Sequence, residues 1–102
     1  MAITSTNPAK LLGFYPRKGA IAAGSDADIT VIDPSVKKTL TMNDLHVRDY
    51  SPWDGWEVEG WPTTVMLRGK IMVDKGQLLG DGNDGQLIPR KIDSRVLQRP
   101  AF

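Results

Sequence analysis

The stretch Asp28-Ile29-Thr30-Val31-Ile32-Asp33-Pro34 contains four β-branched residues in succession and is closed by a proline. β-Branched side chains favour an extended backbone, and proline has no N–H with which to continue a ladder of hydrogen bonds. The stretch therefore predicts a β-strand. Apolar side chains fall on both faces of this strand, which is typical of a strand that is covered on both sides.

Further strands are predicted downstream of this stretch. Residues 36–40 predict a second strand with a polar face that carries lysine. Three short runs at residues 63–67, 71–74 and 77–79 are separated by two glycine-containing turns. Such spacing favours a three-stranded antiparallel meander. The fold class expected for the chain is therefore mainly β.

One short helix is predicted upstream, over residues 6–13. Asn7 can cap its free N–H groups, Pro8 suits the first helical position, and Gly13 marks the end. A helix of about two turns is marginal in isolation. We therefore expect its two leucines to dock on a larger body.

Length and residue counts exclude several kinds of site. The chain has 102 residues, one histidine and no cysteine, so one small domain is expected. Disulfides, cysteine nucleophiles, cysteine-ligated zinc and multi-histidine metal centres cannot be built from these residues alone. A TIM barrel needs about 250 residues, so no TIM barrel is expected in this chain.

The charge is balanced overall but uneven along the chain. Thirteen basic and 12 acidic residues leave a net charge of +1, which argues against a nucleic-acid or membrane-surface partner. With no long apolar stretch and no leader pattern, we expect a cytoplasmic protein. Residues 44–59 hold five acids against one arginine. The tail is basic, and its charged residues from position 90 are Arg90, Lys91, Asp93, Arg95 and Arg99.

Two sets of side chains could in principle carry chemistry. His46 is the only group that ordinarily titrates near neutral pH, although a structural or solvated loop histidine is the alternative. Asp26, Asp28 and Asp33 flank the first strand. Such carboxylates can bind a hard cation or share acid and base roles, but they also commonly accept turn N–H groups. We favour the structural interpretation for both sets.

Two further motifs have both a binding and a structural interpretation. The run Gly82-Asn83-Asp84-Gly85-Gln86-Leu87 resembles one calcium-binding β-roll repeat, but a roll needs stacked repeats, so a tight turn is favoured. Trp53, Trp56 and Trp61 fall within nine residues. Their acidic surroundings disfavour stacking on nucleic acid. An interface or core role is favoured for these tryptophans, with ligand stacking as the alternative.

Several motifs, in this order along the chain, resemble the C-terminal portion of cyclic amidohydrolases, above all the dihydropyrimidinase and D-hydantoinase group. These motifs are Asn7-Pro8-Ala9-Lys10, Gly13-x-Tyr15-Pro16-Arg17-Lys18-Gly19, Ile21-Ala22-x-Gly24-Ser25-Asp26-Ala27-Asp28, His46, Ser51-Pro52-Trp53 with Gly55, Leu67-Arg68-Gly69-Lys70 with Val73 and Gly76, and Gly82, Asp84, Gly85 and Arg90.

The resemblance implies a division of the chain into three parts. Residues 1–23 would form an end-of-barrel helix and connector. Residues 24–80 would supply the C-terminal strands of the amidohydrolase β-sandwich, a urease-like composite domain. Residues 81–102 would form a glycine-rich turn and an irregular basic tail. The barrel and the N-terminal strands that complete the sandwich would lie outside this chain.

The resemblance also implies a parent reaction, the hydrolytic opening of a cyclic amide at a metal centre. In the family a binuclear zinc site with a carboxylated lysine lies on the barrel, so no catalytic, cofactor or metal residue is expected here. His46 matches a loop histidine. The interface or structural candidates in this chain are Trp53, Trp56, Trp61, Asp26 and Asp28.

These observations leave three hypotheses. The first is a non-catalytic scaffold and assembly part whose partners are the barrel and N-terminal strands of a homotetrameric parent. The second is a free-standing tryptophan-rich binding module. The third is a natural small subunit that completes a separate barrel chain. Because strand edges without partners promote association, we also expect the isolated chain to self-associate.

Overall fold

A computed structural model describes residues 2–98 of the chain. Arg99, part of the predicted basic tail, lies outside the described residues. The elements in chain order are a π-helical turn Ala2–Thr6, helix α1 Asn7–Leu12, strands β1 Ile29–Thr39, β2 Glu57–Leu67, β3 Lys70–Asp74 and β4 Gln77–Leu78, and helix α2 Ser94–Gln98. The strands form one antiparallel sheet in the order β1-β2-β3-β4. The predicted mainly β fold with a short N-terminal helix is confirmed.

The predicted meander is present as β2, β3 and β4, joined by two tight hairpins. Leu67 pairs with Lys70, and the two residues between them, Arg68 and Gly69, have φ values of 49° and 83°. Two successive positive φ angles match the backbone of a type I′ turn, whose twist suits an antiparallel pair. The β3–β4 turn, Lys75-Gly76, has the same form.

Strand β1 is longer than predicted. The expected strands at 28–33 and 36–40 join into one, with an irregular register between Asp33 and Lys37 that accommodates Pro34. Asp33 accepts hydrogen bonds from the backbone N–H and the hydroxyl of Ser35, which stabilises this bend. The prediction of two strands was wrong because a proline can lie on an edge strand at an irregularity.

Strand β2 begins six residues before the predicted position, at Glu57. Its first half pairs with the second half of β1, from Thr39 opposite Glu57 to Lys37 opposite Glu59. Trp61 therefore lies within the sheet, whereas the strand predicted from the sequence began two residues after it. The early start of β2 depends on tertiary structure, since the residues of β1 that pair with its first half are about 20 positions away in the chain.

The helical start also differs from the prediction. The chain is already helical from Ala2, so Asn7 is inside the helical segment and does not cap it. Thr6 precedes α1 with helical φ and ψ and makes no side-chain cap; its hydroxyl instead donates to the Gly19 carbonyl at 2.7 Å. Gly13 ends α1 with a φ of 78°, as expected of a C-terminal glycine.

Few side chains are buried among the described residues. Only Ala9, Leu40 and Ser51 are buried among residues 2–98, and none of them is completely inaccessible. The chain exposes 8358 Å², about 2,700 Å² more than the roughly 5,700 Å² expected of a folded monomer of this mass. Its radius of gyration is 16.5 Å, against about 13 Å for a compact domain of this length. This extra surface is the main physical feature of the fold.

The cover predicted for β1 and for α1 is missing from residues 2–98. Val31 and Ile32, which point to opposite faces of β1, are 45% and 58% exposed. Leu11 and Leu12 of α1 are also exposed. Within this part of the chain, both faces of β1 therefore remain partly open to solvent.

Candidate assembly surface

One side of β1 is open and lies beside a groove. β1 is the first strand of the sheet order, so one of its edges has no strand partner within residues 2–98. A groove of about 400 Å³ lies beside it, between the π-helical turn and the strand. Ile29, Thr30 and Ile32 line one wall, and Ser5 and Ile21 belong to the other. The groove therefore combines an apolar floor with a free strand edge.

Charged side chains close one end of the groove. Lys18 pairs with both Asp26, at 2.9 Å, and Asp28. Arg17 also pairs with Asp26, at 3.0 Å between Nε and Oδ2. The backbone N–H of Arg68 donates to Asp28 Oδ1 at 2.8 Å. These contacts connect the segment after α1 to the start of β1 and to the β2–β3 turn.

The ion pairs change the acidity of both carboxyl groups. The hydrogen bond from Lys18 is the main reason that the pKa of Asp26 lies below its usual value, and Arg17 adds to it. Burial works to raise the pKa of Asp28, but the bonds from Lys18 and from the Arg68 N–H outweigh it, so this pKa is also lowered. Asp26 and Asp28 therefore act as ionised structural groups at neutral pH.

Replacing Asp28 by asparagine is expected to lower the thermal midpoint of unfolding at neutral pH, since the ion pair with Lys18 is lost. Because folding lowers the pKa of Asp28 below 3.8, its carboxylate stabilises the fold above that pH, and this stabilisation is lost as the pH falls through the folded-state value. The midpoints of the two proteins should therefore converge in acid. Thermal unfolding followed by circular dichroism from neutral pH to pH below 3.8 measures this.

Asp49→Asn is the matched control, because it removes one carboxylate from an exposed loop position. It should leave the midpoint nearly unchanged at all pH values. Equal losses for the two variants, or a loss for Asp28→Asn that does not depend on pH, would contradict the role given to the ion pairs.

The three tryptophans are not equivalent. Trp61 lies in β2, and the Lys38 ammonium stands 4.4 Å from the centroid of its ring, a cation–π contact. Lys38 also pairs with Asp44. Asp44 accepts hydrogen bonds from the backbone and hydroxyl of Thr41 at 3.0 and 2.7 Å. Lys38, followed by Thr41, lowers the pKa of Asp44 to about 2. Trp61 is thus held within a polar cluster on the sheet.

Trp53 and Trp56 lie on the loop before β2 and are 53% and 59% exposed. Two hydrogen bonds tie this loop to Leu40 at the end of β1: the Leu40 N–H donates to the Trp56 carbonyl, and the Gly55 N–H donates to the Leu40 carbonyl, both at 2.8 Å. The two rings are therefore presented to solvent by a fixed backbone. Both an interface role and ligand stacking remain predictions for them.

The other candidates have local roles. His46 is exposed in a turn with a φ of 54°. Asp84 of the glycine-rich motif pairs with Lys70 at 2.8 Å. No three histidine, cysteine, aspartate or glutamate residues among positions 2–98 come together in a way that could hold a metal ion. Over the same positions, no helix is long and apolar enough to cross a membrane.

Two tail contacts were missed by sequence reasoning. The Lys91 N–H donates to the Gly13 carbonyl at 3.1 Å, at the end of α1. Arg68 donates to the carbonyl of Asp84, whose carboxylate binds Lys70. Neither contact has a local sequence signal, because each joins segments far apart in the chain. The tail is therefore attached both to the helix and to the β2–β3 hairpin.

Comparison with known proteins agrees with this architecture. Residues 1–72 match the model of the amidohydrolase family. The chain is 43% identical over 90 residues to a D-hydantoinase of Ralstonia pickettii. This alignment covers 87% of the chain and 20% of that enzyme. It is 39% identical to dihydropyrimidinase 2 of Caenorhabditis briggsae, over 95% of the chain and 19% of the relative.

The solved structures that resemble the chain include hydantoinases as well. The structure of a D-hydantoinase from Bacillus sp. AR9 superposes with a TM-score of 0.82 at 47% identity, over 87% of the chain and 20% of the enzyme. The chain thus spans about a fifth of the length of the relatives that it matches. From the family match, the identities and the superposition together, we conclude that this chain belongs to the amidohydrolase family.

Proposed function

We propose that the chain is the non-catalytic C-terminal scaffold and assembly part of a metal-dependent cyclic amidohydrolase that acts on dihydropyrimidines or hydantoins. The names of the similar proteins, D-hydantoinase and dihydropyrimidinase, support this substrate class. That the chain corresponds to only about a fifth of these proteins supports its being one part of such an enzyme.

The observation that carries the proposal is the uncovered surface. The excess of about 2,700 Å² over a compact monomer is larger than one side of a standard protein interface, which is about 800 Å². Apolar side chains of β1 and α1 contribute to it, since Val31, Ile32, Leu11 and Leu12 are all exposed. An exposed apolar surface of this kind is typical of one that another part of a protein covers.

The covering part, in this proposal, consists of the barrel and the N-terminal strands of the parent enzyme. Strands from that part would complete a β-sandwich against β1–β4, and α1 would mark the end of the barrel. The complete enzyme would be a cytoplasmic homotetramer. In this arrangement the exposed tryptophan loop and the basic tail are available for contacts between subunits.

The parent's metal centre, a binuclear zinc site with a carboxylated lysine in this proposal, would lie outside the chain. The residues of this chain do not fit such a centre: it has one histidine, His46, which is exposed in a turn. No metal-binding group of three His, Cys, Asp or Glu side chains occurs within positions 2–98. The chain's own contribution is therefore structural, the positioning of strands and helix end that the barrel packs against.

Split-enzyme complementation tests the proposal. The 102-residue chain would be co-expressed with the Ralstonia pickettii D-hydantoinase from which the matching segment has been removed. We expect the two polypeptides to co-purify and to hydrolyse hydantoin or dihydrouracil when zinc is supplied, whereas each alone is inactive. Hydrolysis by the 102-residue chain alone would overturn the non-catalytic assignment. Failure to co-purify would overturn the assembly role.

A further inference from the structure

Three Asp-Gly sequences occur in the chain: Asp54-Gly55, Asp81-Gly82 and Asp84-Gly85. In such a pair, the glycine nitrogen can attack the aspartate side-chain carbon Cγ, expelling water and closing a five-membered succinimide. Water then opens the ring at either carbonyl, so the product is aspartate or isoaspartate of unchanged mass. Glycine favours the step because it has no Cβ to obstruct the approach. The reaction needs a mobile glycine N–H and a carboxyl group free to turn towards it.

The structure restrains the first of these pairs at the glycine. The Gly55 N–H, which would have to attack, donates to the Leu40 carbonyl at 2.8 Å. The Asp54 N–H donates to the Ser51 carbonyl at 3.3 Å, and Ser51 is buried. The backbone on both sides of Asp54 is thus hydrogen-bonded, which disfavours ring closure there.

The third pair is restrained at the aspartate. Both carboxylate oxygens of Asp84 accept from Lys70, at 3.0 and 2.8 Å, and its carbonyl accepts from Arg68. The hydrogen bond from Lys70 also lowers the pKa of Asp84. Because the neutral carboxyl group loses water much more readily than the carboxylate, ion pairing with Lys70 slows the reaction at this position.

Asp81-Gly82 has neither a hydrogen bond at the glycine N–H nor an ion pair at the aspartate within residues 2–98. Both residues are exposed, and the Gly82 N–H makes no hydrogen bond within residues 2–98. No atom lies within 4 Å of the position that a Cβ of Gly82 would occupy. The Asp81 carboxylate makes one hydrogen bond, accepting from the Asn83 N–H at 2.8 Å. This turn folds the carboxyl group back along the chain, towards the peptide nitrogen that lies between the bonded residues.

We propose that Asp81 is a site of spontaneous isoaspartate formation, and that it reacts in preference to Asp54 and Asp84. The product has one extra methylene group in the main chain, three residues before the Asp84 carboxylate that binds Lys70. Isomerisation would therefore shift the segment through which the tail is attached to the β2–β3 hairpin. Asp81 is thus a modification site next to the contacts of Asp84 that attach the tail to the hairpin.

Incubation of the purified full chain at neutral pH and physiological temperature tests this proposal. Isoaspartate would be located by peptide mapping with fragmentation that distinguishes the two isomers, and its total amount measured by labelling with isoaspartyl methyltransferase. We expect it to accumulate at Asp81 roughly tenfold faster than at Asp54 or Asp84, the factor that one retained hydrogen bond supplies. Equal rates at the three positions, or a faster rate at Asp54, would overturn the proposal.

Two variants sharpen the test. Asp81→Glu keeps the charge but would require a less favourable six-membered ring, so the signal at residues 81–82 should be lost. Lys70→Ala removes the ion pair of Asp84 and should raise isoaspartate at Asp84 more than at Asp81, to which Lys70 is coupled only by charge and not by a hydrogen bond. If Lys70→Ala does not affect Asp84, ion pairing is not what protects Asp84 and the explanation given for the preference is wrong. Deamidation of the neighbouring Asn83 changes the mass and is thereby separated from these events.

Discussion

The double variant Val31→Asp/Ile32→Asp is expected to remain monomeric at concentrations at which the unmodified chain self-associates. The two side chains are exposed on opposite faces of β1, and β1 has a free edge within residues 2–98. Association would bury the part of each side chain that is still exposed, and because both are already about half covered, this stabilises by about 0.7–1.5 kcal/mol each, half of the value for full burial. Charged residues on an edge strand also prevent strand-to-strand pairing.

Losing both contributions removes about 1.5–3 kcal/mol, which weakens the dissociation constant roughly 10- to 150-fold. Sedimentation velocity over a range of concentrations measures this change. The matched control is Leu87→Asp, which removes an apolar side chain that is 98% exposed on the tail. It should not alter association. A sharp monomer peak for the unmodified chain at micromolar concentration would contradict the expectation.

The same double variant connects self-association to the proposed function. In the complementation experiment it should neither co-purify with the truncated D-hydantoinase nor restore hydrolysis, because aspartate would have to be buried where apolar side chains are needed. The Leu87→Asp chain should behave like the unmodified one. Complementation by the double variant would show that β1 is not part of the covered surface.

Gly13→Ala is expected to release the tail from the end of α1. Gly13 has a φ of 78°, and a Cβ at this position would lie 2.6 Å from the carbonyl carbon and oxygen of Lys91 and 2.8 Å from the nitrogen of Ile92. A non-glycine residue in the left-handed region costs about 1–2 kcal/mol. The clash is with backbone atoms, which cannot rotate away as the end of a side chain can. The tail must therefore move.

Hydrogen exchange at the Lys91 amide, which donates to the Gly13 carbonyl, measures the release directly, and trypsin cleavage after Lys91 provides a second readout. Gly76→Ala is a closely matched control, because Gly76 has a φ of 79° but no atom within 4 Å of the Cβ position. It should show the same cost in backbone strain without faster exchange at Lys91. Equal exchange rates in the two variants would mean that the contact at Gly13 does not hold the tail.

Elements with a strong local pattern were predicted well. The β-branched run at 29–32 is a strand, and the glycine turns of the meander form hairpins at the expected positions. Elements that depend on distant partners were not. The early start of β2 depends on its pairing with β1, and the helical start at Ala2 overrides the capping preference of Asn7.

In the candidate site, too, the locally encoded features were predictable and the long-range contacts were not. Asp26 and Asp28 were recognisable as structural candidates because they flank a strand. Their partners were not, since Lys18 and the Arg68 N–H reach them across 8 to 40 positions of sequence. The resemblance to cyclic amidohydrolases came from an ordered series of motifs and did not require any of these contacts.

The sequence by itself determined the mainly β class, the scarcity of histidine and cysteine and the family, because all three depend on residue identity and local pattern. Only the tertiary structure decided how the strands pair, which tryptophan packs under Lys38, and that Val31 and Ile32 remain exposed. The physical reason is that pairing and burial are properties of distant segments in contact. An apolar strand shows in its sequence that it needs to be covered, but only the structure shows that residues 2–98 do not cover it.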